Sequence, residues 1–548
     1  MTRKLEQTRN SRPTVRQLVL LGAASVLMAV LISGCGGGSG NASEAAHAGQ
    51  AGFYTGGVPG GTPRRGGVLT ITKGPFTSLD PETIGVGDLG TQENMFDQLL
   101  ELLPGKSQPQ PGVATSWTVS QDGLTYDFKL RTDVRFSNGE PLTAKDVVFT
   151  LHRMTTKANE TGQFIFPNTF KSITEVGPYE VRFVLNKPVG AMLANLADPA
   201  CSIFPKNVLA KESRAQFALH PVGSGAFMLK SFSPGKYLEL VRNPYYWRAG
   251  QPYVDGVTYS MVADTNQRIL SVRSGQADIA EHIPYSQINL LRHTSGVVMT
   301  VQPQYSVDDV EMNDARAPFT DPKVRQALAY ATPVQDIIKA VYHGYAEPAN
   351  TIMPKMDYWD RSVTYHSYNL AKAKELLAAS SVPHGFSTTL IVPGADPDST
   401  ELGTILQSAW AKLGVKLTIR QVDPSTQGTD MFEGNYQIGV FETGAFINDV
   451  AVPDDAAGLV YDYNSGTHGL ATYLNSPRLA RLFHQAAETN DESLREKLYR
   501  EMQTLSQSEA QALPIAFVPA VYLVSSRVRN FTSVGGGWAR LDAVYLSS

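Results

Sequence analysis

The sequence predicts a mixed α/β fold behind an N-terminal export segment. Runs such as Tyr126, Phe128 and Leu130, alternating with polar residues, have the period of half-buried strands. Capped runs such as Leu406, Ala409, Trp410 and Leu413, closed by Gly414, have the period of helices. At 42% apolar and 18% charged residues, the composition is that of a chain with an ordinary packed core, and it excludes intrinsic disorder. Its 548 residues predict two to four domains, at roughly 150 residues each, or one large two-lobed body.

The N-terminus reads as a targeting segment. Arg3, Lys4, Arg9, Arg12 and Arg16 precede an apolar run from Leu18 to Ile32. At 15 residues this run is shorter than the roughly 20 a membrane-spanning helix needs, and it suits a signal-peptide core. It ends Leu31-Ile32-Ser33-Gly34-Cys35, which resembles a bacterial lipobox. Residues 1–34 are therefore expected to be removed and Cys35 lipidated. Residues 35–65, rich in Gly, Ser and Ala, read as a flexible tether. Without residues 1–34 the chain holds 42 basic and 50 acidic residues, net −8. Nucleic-acid binding has no electrostatic support. With Cys35 lipidated, Cys201 has no partner and is expected to be a small buried apolar group.

The body begins with a strand at Val68-Leu69-Thr70-Ile71, and Val181, Phe183 and Leu185 mark another. Thr143 caps a helix carrying Val147, Val148 and Leu151. Asp321-Pro322 opens a second helix with Pro in its first turn. Thr332-Pro333-Val334-Gln335 reads as a capping box opening a third, stopped at Gly344. Asn369 caps Leu370 to Ala378, and Val415-Leu417-Ile419 is a strand. Ser493 to Leu505 is amphipathic. Asn138-Gly139 is a tight-turn pair.

Several blocks, in order over about residues 66–548, resemble one family: the extracytoplasmic solute-binding proteins of ABC importers, family 5, the oligopeptide/dipeptide/nickel group. They are Pro111-Gly112-Val113-Ala114-Thr115-Ser116-Trp117; Val134-Arg135-Phe136-Ser137-Asn138-Gly139; Leu142-Thr143-Ala144-Lys145-Asp146-Val147; Arg242-Asn243-Pro244-Tyr245-Tyr246-Trp247; and Val324-Arg325-Gln326-Ala327-Leu328. Ser224-Gly225-Ala226-Phe227 departs from the family's usual Thr-Gly-Pro-Tyr, and Pro333-Val334 from its Asp-Arg pair. Trp117 and Trp247 read as scaffold. The resemblance implies a two-lobed fold of the periplasmic-binding-protein type (type II, large peptide-binding cluster). Lobe one is expected over 66–308 and 517–548, with an extra subdomain at 103–205. Lobe two is expected over 309–516, with the solute enclosed by hinge closure.

The sequence holds no Gly-x-Ser-x-Gly, His-Glu-x-x-His or Gly-x-x-x-x-Gly-Lys-Ser/Thr motif, and its ten histidines are scattered. No enzyme activity, cofactor or metal is expected. The resemblance implies that Thr77, Leu79 and Asp80 line the cleft from lobe one, the alternative being a plain Asp-Pro turn. Peptide-binding relatives meet the peptide amine with an acid in a Trp-x-x-Asp stretch of lobe two. The stretch here is Phe441, Glu442, Thr443, Gly444, Phe446 and, displaced, Asp449, with no Trp. Glu442 and Asp449 are the candidate amine contacts, against the alternative of solvated loop charges. Dipeptide binders also hold the ligand carboxylate with an arginine. The corresponding Ile391–Asp398 has none and carries acids. The expected function is capture of a peptide-like solute by a monomeric, extracytoplasmic lipoprotein, and delivery to a permease with cytoplasmic ATPases. An exported hydrolase of peptides or esters and a sensory binding protein are the rival readings.

Overall fold

The computed structural model describes residues 52–82, 88–103, 106, 108–156, 159, 165–394, 396–444, 476–510, 512–535, 537 and 539–547. The chain opens with β1 (Phe53–Thr55) and β2 (Val68–Lys73). It leaves for a four-stranded antiparallel sheet, β3 (Ala114–Val119), β4 (Thr125–Leu130), β5 (Phe170–Gly177) and β6 (Glu180–Leu185), ordered β3-β4-β6-β5. Tyr126, Phe128 and Leu130 point into its core, as their alternation predicts, together with Val181, Phe183 and Leu185. Helix α1 (Ala144–Met154) packs on this sheet. The Asp146 carboxylate accepts hydrogen bonds from the Thr143 amide and hydroxyl, which fixes the first turn.

The chain then returns through β7 (Phe227–Ser233), β8 (Tyr237–Arg242), β9 (Gly256–Met261), α2 (Thr265–Arg273), β10 (Ile279–Glu281), α3 (Tyr285–Leu291) and β11 (Val297–Gln302). After Pro303-Gln304-Tyr305 it enters a second large sheet as β12 (Ser306–Met312). There follow α4 (Pro322–Ala331), α5 (Val334–Ala340), β13 (Glu347–Pro348), α6 (Leu370–Ala378), β14 (Ser387–Pro393), α7 (Pro397–Ala411), β15 (Lys416–Val422), β16 (Ile438–Gly444), α8 (Pro477–Ala487), α9 (Glu492–Glu509) and β17 (Ala512–Phe517). Val518-Pro519 leads back to the first sheet as β18 (Ala520–Ser525). The eight-stranded sheet is ordered β1-β11-β18-β10-β2-β9-β8-β7, and the six-stranded sheet β13-β17-β12-β16-β14-β15.

The backbone thus crosses between the two large sheets twice, at 303–305 and 518–519. One apolar core runs beneath the crossings. It joins Met299, Val301, Val521 and Leu523 of the first sheet to Val310 and Ile515 of the second and Val518 of the crossing.

Helix caps follow the sequence closely. Asp321 accepts from the Lys323 amide with Pro322 in the first turn, and Asn369 from the Lys372 amide. Two expectations need correction. The helix after Thr332 starts one residue later, with Pro333 at its N-cap. The Thr332 hydroxyl donates to the Leu328 carbonyl and accepts from the buried Trp410 indole, so it is committed elsewhere. The tether is also shorter than 35–65. Phe53–Thr55 pair in parallel with Met299–Val301, and the Val58 amide donates to the Phe531 carbonyl. Phe53 packs on the main core, and apolar burial offsets the entropy of ordering this segment.

The blocks that carry the family resemblance serve the scaffold. A Cβ on Gly223 would lie 2.0 Å from the Met95 carbonyl oxygen, and one on Gly225 would lie 2.5 Å from the Met95 carbonyl carbon. Trp247 is sandwiched by the Arg131 and Arg248 guanidinium groups at 4.2 and 4.5 Å. Cys201 is buried and forms no disulfide among the described residues.

Candidate functional site

In open α/β sheets the usable crevice lies beyond the carboxyl ends of the parallel strands. Here β2 runs parallel to β9 and β10, and β14 parallel to β15 and β16. Their carboxyl ends define two rims, one on each large sheet, with the two crossings between them.

On the first rim β2 ends in Lys73 and β10 in Glu281. The Lys73 ammonium lies 2.8 Å from Asp88 and 2.9 Å from Glu281. Burial works against its charge, but the two carboxylates outweigh that and lift its pKa above the ordinary lysine range. Burial also pushes Glu281 up, against the pull of Lys73. The next residue, His282, takes a left-handed backbone conformation with φ 60°. Burial first, then Arg268 and Lys73, push its imidazole down to about 3, so it is neutral. A cavity of about 10 Å³ beside Lys73, Thr91 and Tyr259 has room for about one water and none for a solute.

The second rim is acidic. Asp308 on β12 stands directly across from Glu442 on β16 in the antiparallel register, which sets both carboxyls on one face. Glu442 Oε1 accepts from the Ser306 hydroxyl at 2.6 Å and from Gln304 at 3.4 Å. Asp308 Oδ2 accepts from the Tyr342 hydroxyl at 2.8 Å. Beyond β14, Asp396 caps α7 by accepting from the Asp398 amide. The Tyr285 backbone of the first rim approaches the Asp398 carboxyl and favours its charged form. The Tyr285 ring packs edge-on against Tyr342, centroids 5.2 Å apart.

Burial is the main reason that these acids hold their protons. It pushes Asp308 up to about 8 despite the Tyr342 hydrogen bond, and Asp398 up to about 7 with Asp396 adding to it. It lifts Glu442 well above the usual range, with Asp308 across the strand adding repulsion.

Of the residues singled out in the sequence, Glu442 belongs to this rim, on a strand and not in a loop. Thr443 and Gly444 end the same strand, opposite Val307 and Ser306. Phe441 faces the other way and is buried in a cluster with Met353 and Tyr499. Phe446, Asp449 and Cys35 lie outside the described residues. Thr77 is exposed. Leu79 and Asp80 are fully buried and engaged within the protein. Leu79 is core. Asp80 Oδ2 accepts from Arg153 at 3.1 Å and Arg214 at 2.8 Å, while Oδ1 caps the Glu82 amide. Sequence reasoning did not single out Asp308, Tyr285, Tyr342, Lys73 or Glu281. The signal for Asp308 was an acidic pair, Asp308-Asp309, inside a strand, where Asp is depleted.

The family described as bacterial extracellular solute-binding proteins, family 5 (middle part), matches residues 108–461. The glutathione-binding protein GsiB of Escherichia coli K12 is 28% identical over 484 residues, 87% of this chain and 92% of that protein. The Helicobacter pylori ABC transporter-associated periplasmic binding protein DppA, solved with the peptide STSA, superposes with a TM-score of 0.79 at 26% identity, over 88% of this chain and 99% of that one. The Bacillus subtilis oligopeptide-binding protein AppA, solved with a nonapeptide, shares the fold at a TM-score of 0.76 and 22% identity, over 89% of this chain and 100% of that one.

Proposed function

From a chain that belongs to the bacterial extracellular solute-binding proteins of family 5, a family of binding proteins and not of enzymes, we propose a receptor that captures a peptide-like solute between two lobes and hands it to an ABC permease. The observation that carries this reading is the pair of strand-end rims, one on each large sheet, on either side of two backbone crossings. Glutathione and peptides, the ligands named for the relatives, support the solute class.

Lobe one takes in the eight-stranded sheet from Phe53 on, with residues 103–205 as its extra subdomain and the chain after Val518-Pro519 as its C-terminal part. Lobe two, expected over 309–516, takes in the six-stranded sheet from Ser306 to Phe517. Closure is rotation about 303–305 and 518–519, where few backbone dihedrals change. Glu442 meets the solute amine, with Asp449 as the second candidate, and Thr77, Thr443, Gly444 and Phe446 border the same crevice.

Incubation with a mixed peptide library, followed by mass spectrometry of the bound fraction, tests this. Intact peptides are expected. Cleaved peptides would support the exported-hydrolase reading instead.

The receptor works as a monomer held outside the cell membrane by lipid on Cys35, where each buried methylene adds about 0.8 kcal/mol. Cys35→Ala is expected to move the protein from the membrane to the soluble fraction. Unchanged membrane association in fractionated cells would remove the anchor from the proposal.

A further inference from the structure

We propose that the crevice is built for a solute carrying more positive than negative charge, whose ammonium or guanidinium groups meet the carboxylates of Asp308, Asp398 and Glu442. The inference rests on the solute-binding reading above and names the charge class of the solute.

Consider first the tally of charges on the two rims. On the first, Lys73 is already held between Asp88 and Glu281, and the Arg268 guanidinium is taken up by the Val262 and Ala263 carbonyls. On the second, Asp308, Asp396, Asp398 and Glu442 gather from β12, the start of α7 and β16. Among the described residues none of these four is ion-paired to Lys, Arg or His. The chain from 445 to 475 supplies no Lys or Arg by sequence. Each of the four keeps a partly open face.

A second observation is independent of the carboxylates. The Tyr285 side chain is fully buried and its hydroxyl has no hydrogen-bond partner, yet its charged and phenolic neighbours are Asp308, Tyr342, Asp398 and Glu442. Gln304, which donates to Glu442, leaves its own carbonyl oxygen without a partner. Buried polar atoms are rarely left so. With its carboxyls ionised, this corner is short of donors. Ionised carboxylates, a phenol oxygen and an amide oxygen all accept, and an ammonium or guanidinium group supplies several N–H donors with the matching charge.

Where no cation pairs with them, protons take the place of that charge on Asp308, Asp398 and Glu442. The groups around the crevice are Asp308, Asp396, Asp398, Glu401, Glu442, Tyr285 and Tyr342, with Asp309 on the opposite face of β12. With Asp308 near 8 and Asp398 near 7, a bound cation lowers both and releases protons. Affinity for a cation therefore rises between pH 6 and 8.

Titration calorimetry of the full-length chain with Lys-Ala-Lys, Ala-Ala-Ala, Glu-Ala-Glu and spermidine decides. Lys-Ala-Lys is expected to bind roughly ten- to 150-fold more tightly than Ala-Ala-Ala, the range for a charged hydrogen bond, and Glu-Ala-Glu more weakly than either. Glu442→Gln and Asp398→Asn should each narrow that preference by about tenfold without lowering the thermal midpoint. Equal or tighter binding of Ala-Ala-Ala or Glu-Ala-Glu would overturn the inference and leave the peptide reading standing. Spermidine binding without any peptide would uphold the charge class and remove the peptide class. No binding of any of the four would remove both.

Discussion

Asp80→Ala is expected to destabilise the fold by about 3 kcal/mol while leaving solute affinity per folded molecule unchanged. Asp80 is fully buried, and its Oδ2 holds Arg153 of α1 and Arg214 of the short helix Arg214–Phe217. Arg153 belongs to α1 of the four-stranded subdomain, so the carboxylate helps to fasten that subdomain to the segment that follows β2. Removing one partner of a buried ion pair typically costs about 3–5 kcal/mol, because the other charge is stranded. Two features put Asp80 at the low end. The Arg214 side chain is 38% exposed and water can take over its solvation. Glu82 also contacts Arg153, at 3.1 Å. Burial, only partly countered by Arg153, pushes Glu82 up to about 7, and Asp80 adds to that. With Asp80 gone, Glu82 ionises more readily and recovers part of the loss. Denaturant unfolding of Asp80→Ala and Asp80→Asn measures the effect, with peptide titration of the folded fraction beside it. Unchanged stability together with lost affinity would return Asp80 to the cleft.

Asp80 also shows where a sequence stops being informative. Thr77-Ser78-Leu79-Asp80-Pro81 reads equally as a turn and as a cleft edge, and only the approach of Arg153 and Arg214 distinguishes them. Local chemistry was legible throughout. The Asp321-Pro322 and Asn369 caps, the Tyr126–Leu130 alternation and the Asn138-Gly139 turn, with Gly139 at φ 86°, each depend on a few adjacent residues. What was not legible arises from pairing between distant segments. β1 is three residues flanked by glycines, too short to show a period, and it exists because β11 offers an edge. The acidic rim exists because the antiparallel register sets Asp308 against Glu442, and because Tyr285 from the other sheet reaches Asp398. Each acid by itself looks like an ordinary solvated charge.

Glu311→Met is expected to raise stability at pH 8 by about 1–3 kcal/mol, the usual cost of a buried polar group left unsatisfied. Glu311 lies on β12, fully buried, and neither carboxyl oxygen has a hydrogen-bond partner. Across the sheet it faces Gly439 on one side and Ala512 on the other. A Cβ on Gly439 would touch the Met431 thioether at 2.9 Å, so the surroundings are apolar and tightly filled. Burial lifts the Glu311 pKa well above 4.5, and Asp309, two residues back on the same face, adds to the shift. A raised folded-state pKa means that the folded chain holds the proton more tightly than the unfolded chain. The associated stability is complete below pH 4.5 and is lost as pH climbs towards the folded value. Glu311→Gln keeps the shape and removes the titration, so its stability relative to the parent should grow steadily from pH 5 to 8. Glu311→Met removes the polar atoms as well and should add a gain present at every pH, because side chains of similar volume replace buried charged groups at little packing cost. Asp308, Asp398 and Glu442 impose their own slope on every variant, which is why the difference between variant and parent is the quantity to read. Paired denaturant curves at pH 5, 6.5 and 8 supply it. A Glu311→Met protein less stable than the parent at pH 8, with the parent's pH slope intact, would mean that the carboxylate is satisfied in solution and the strand is held by it.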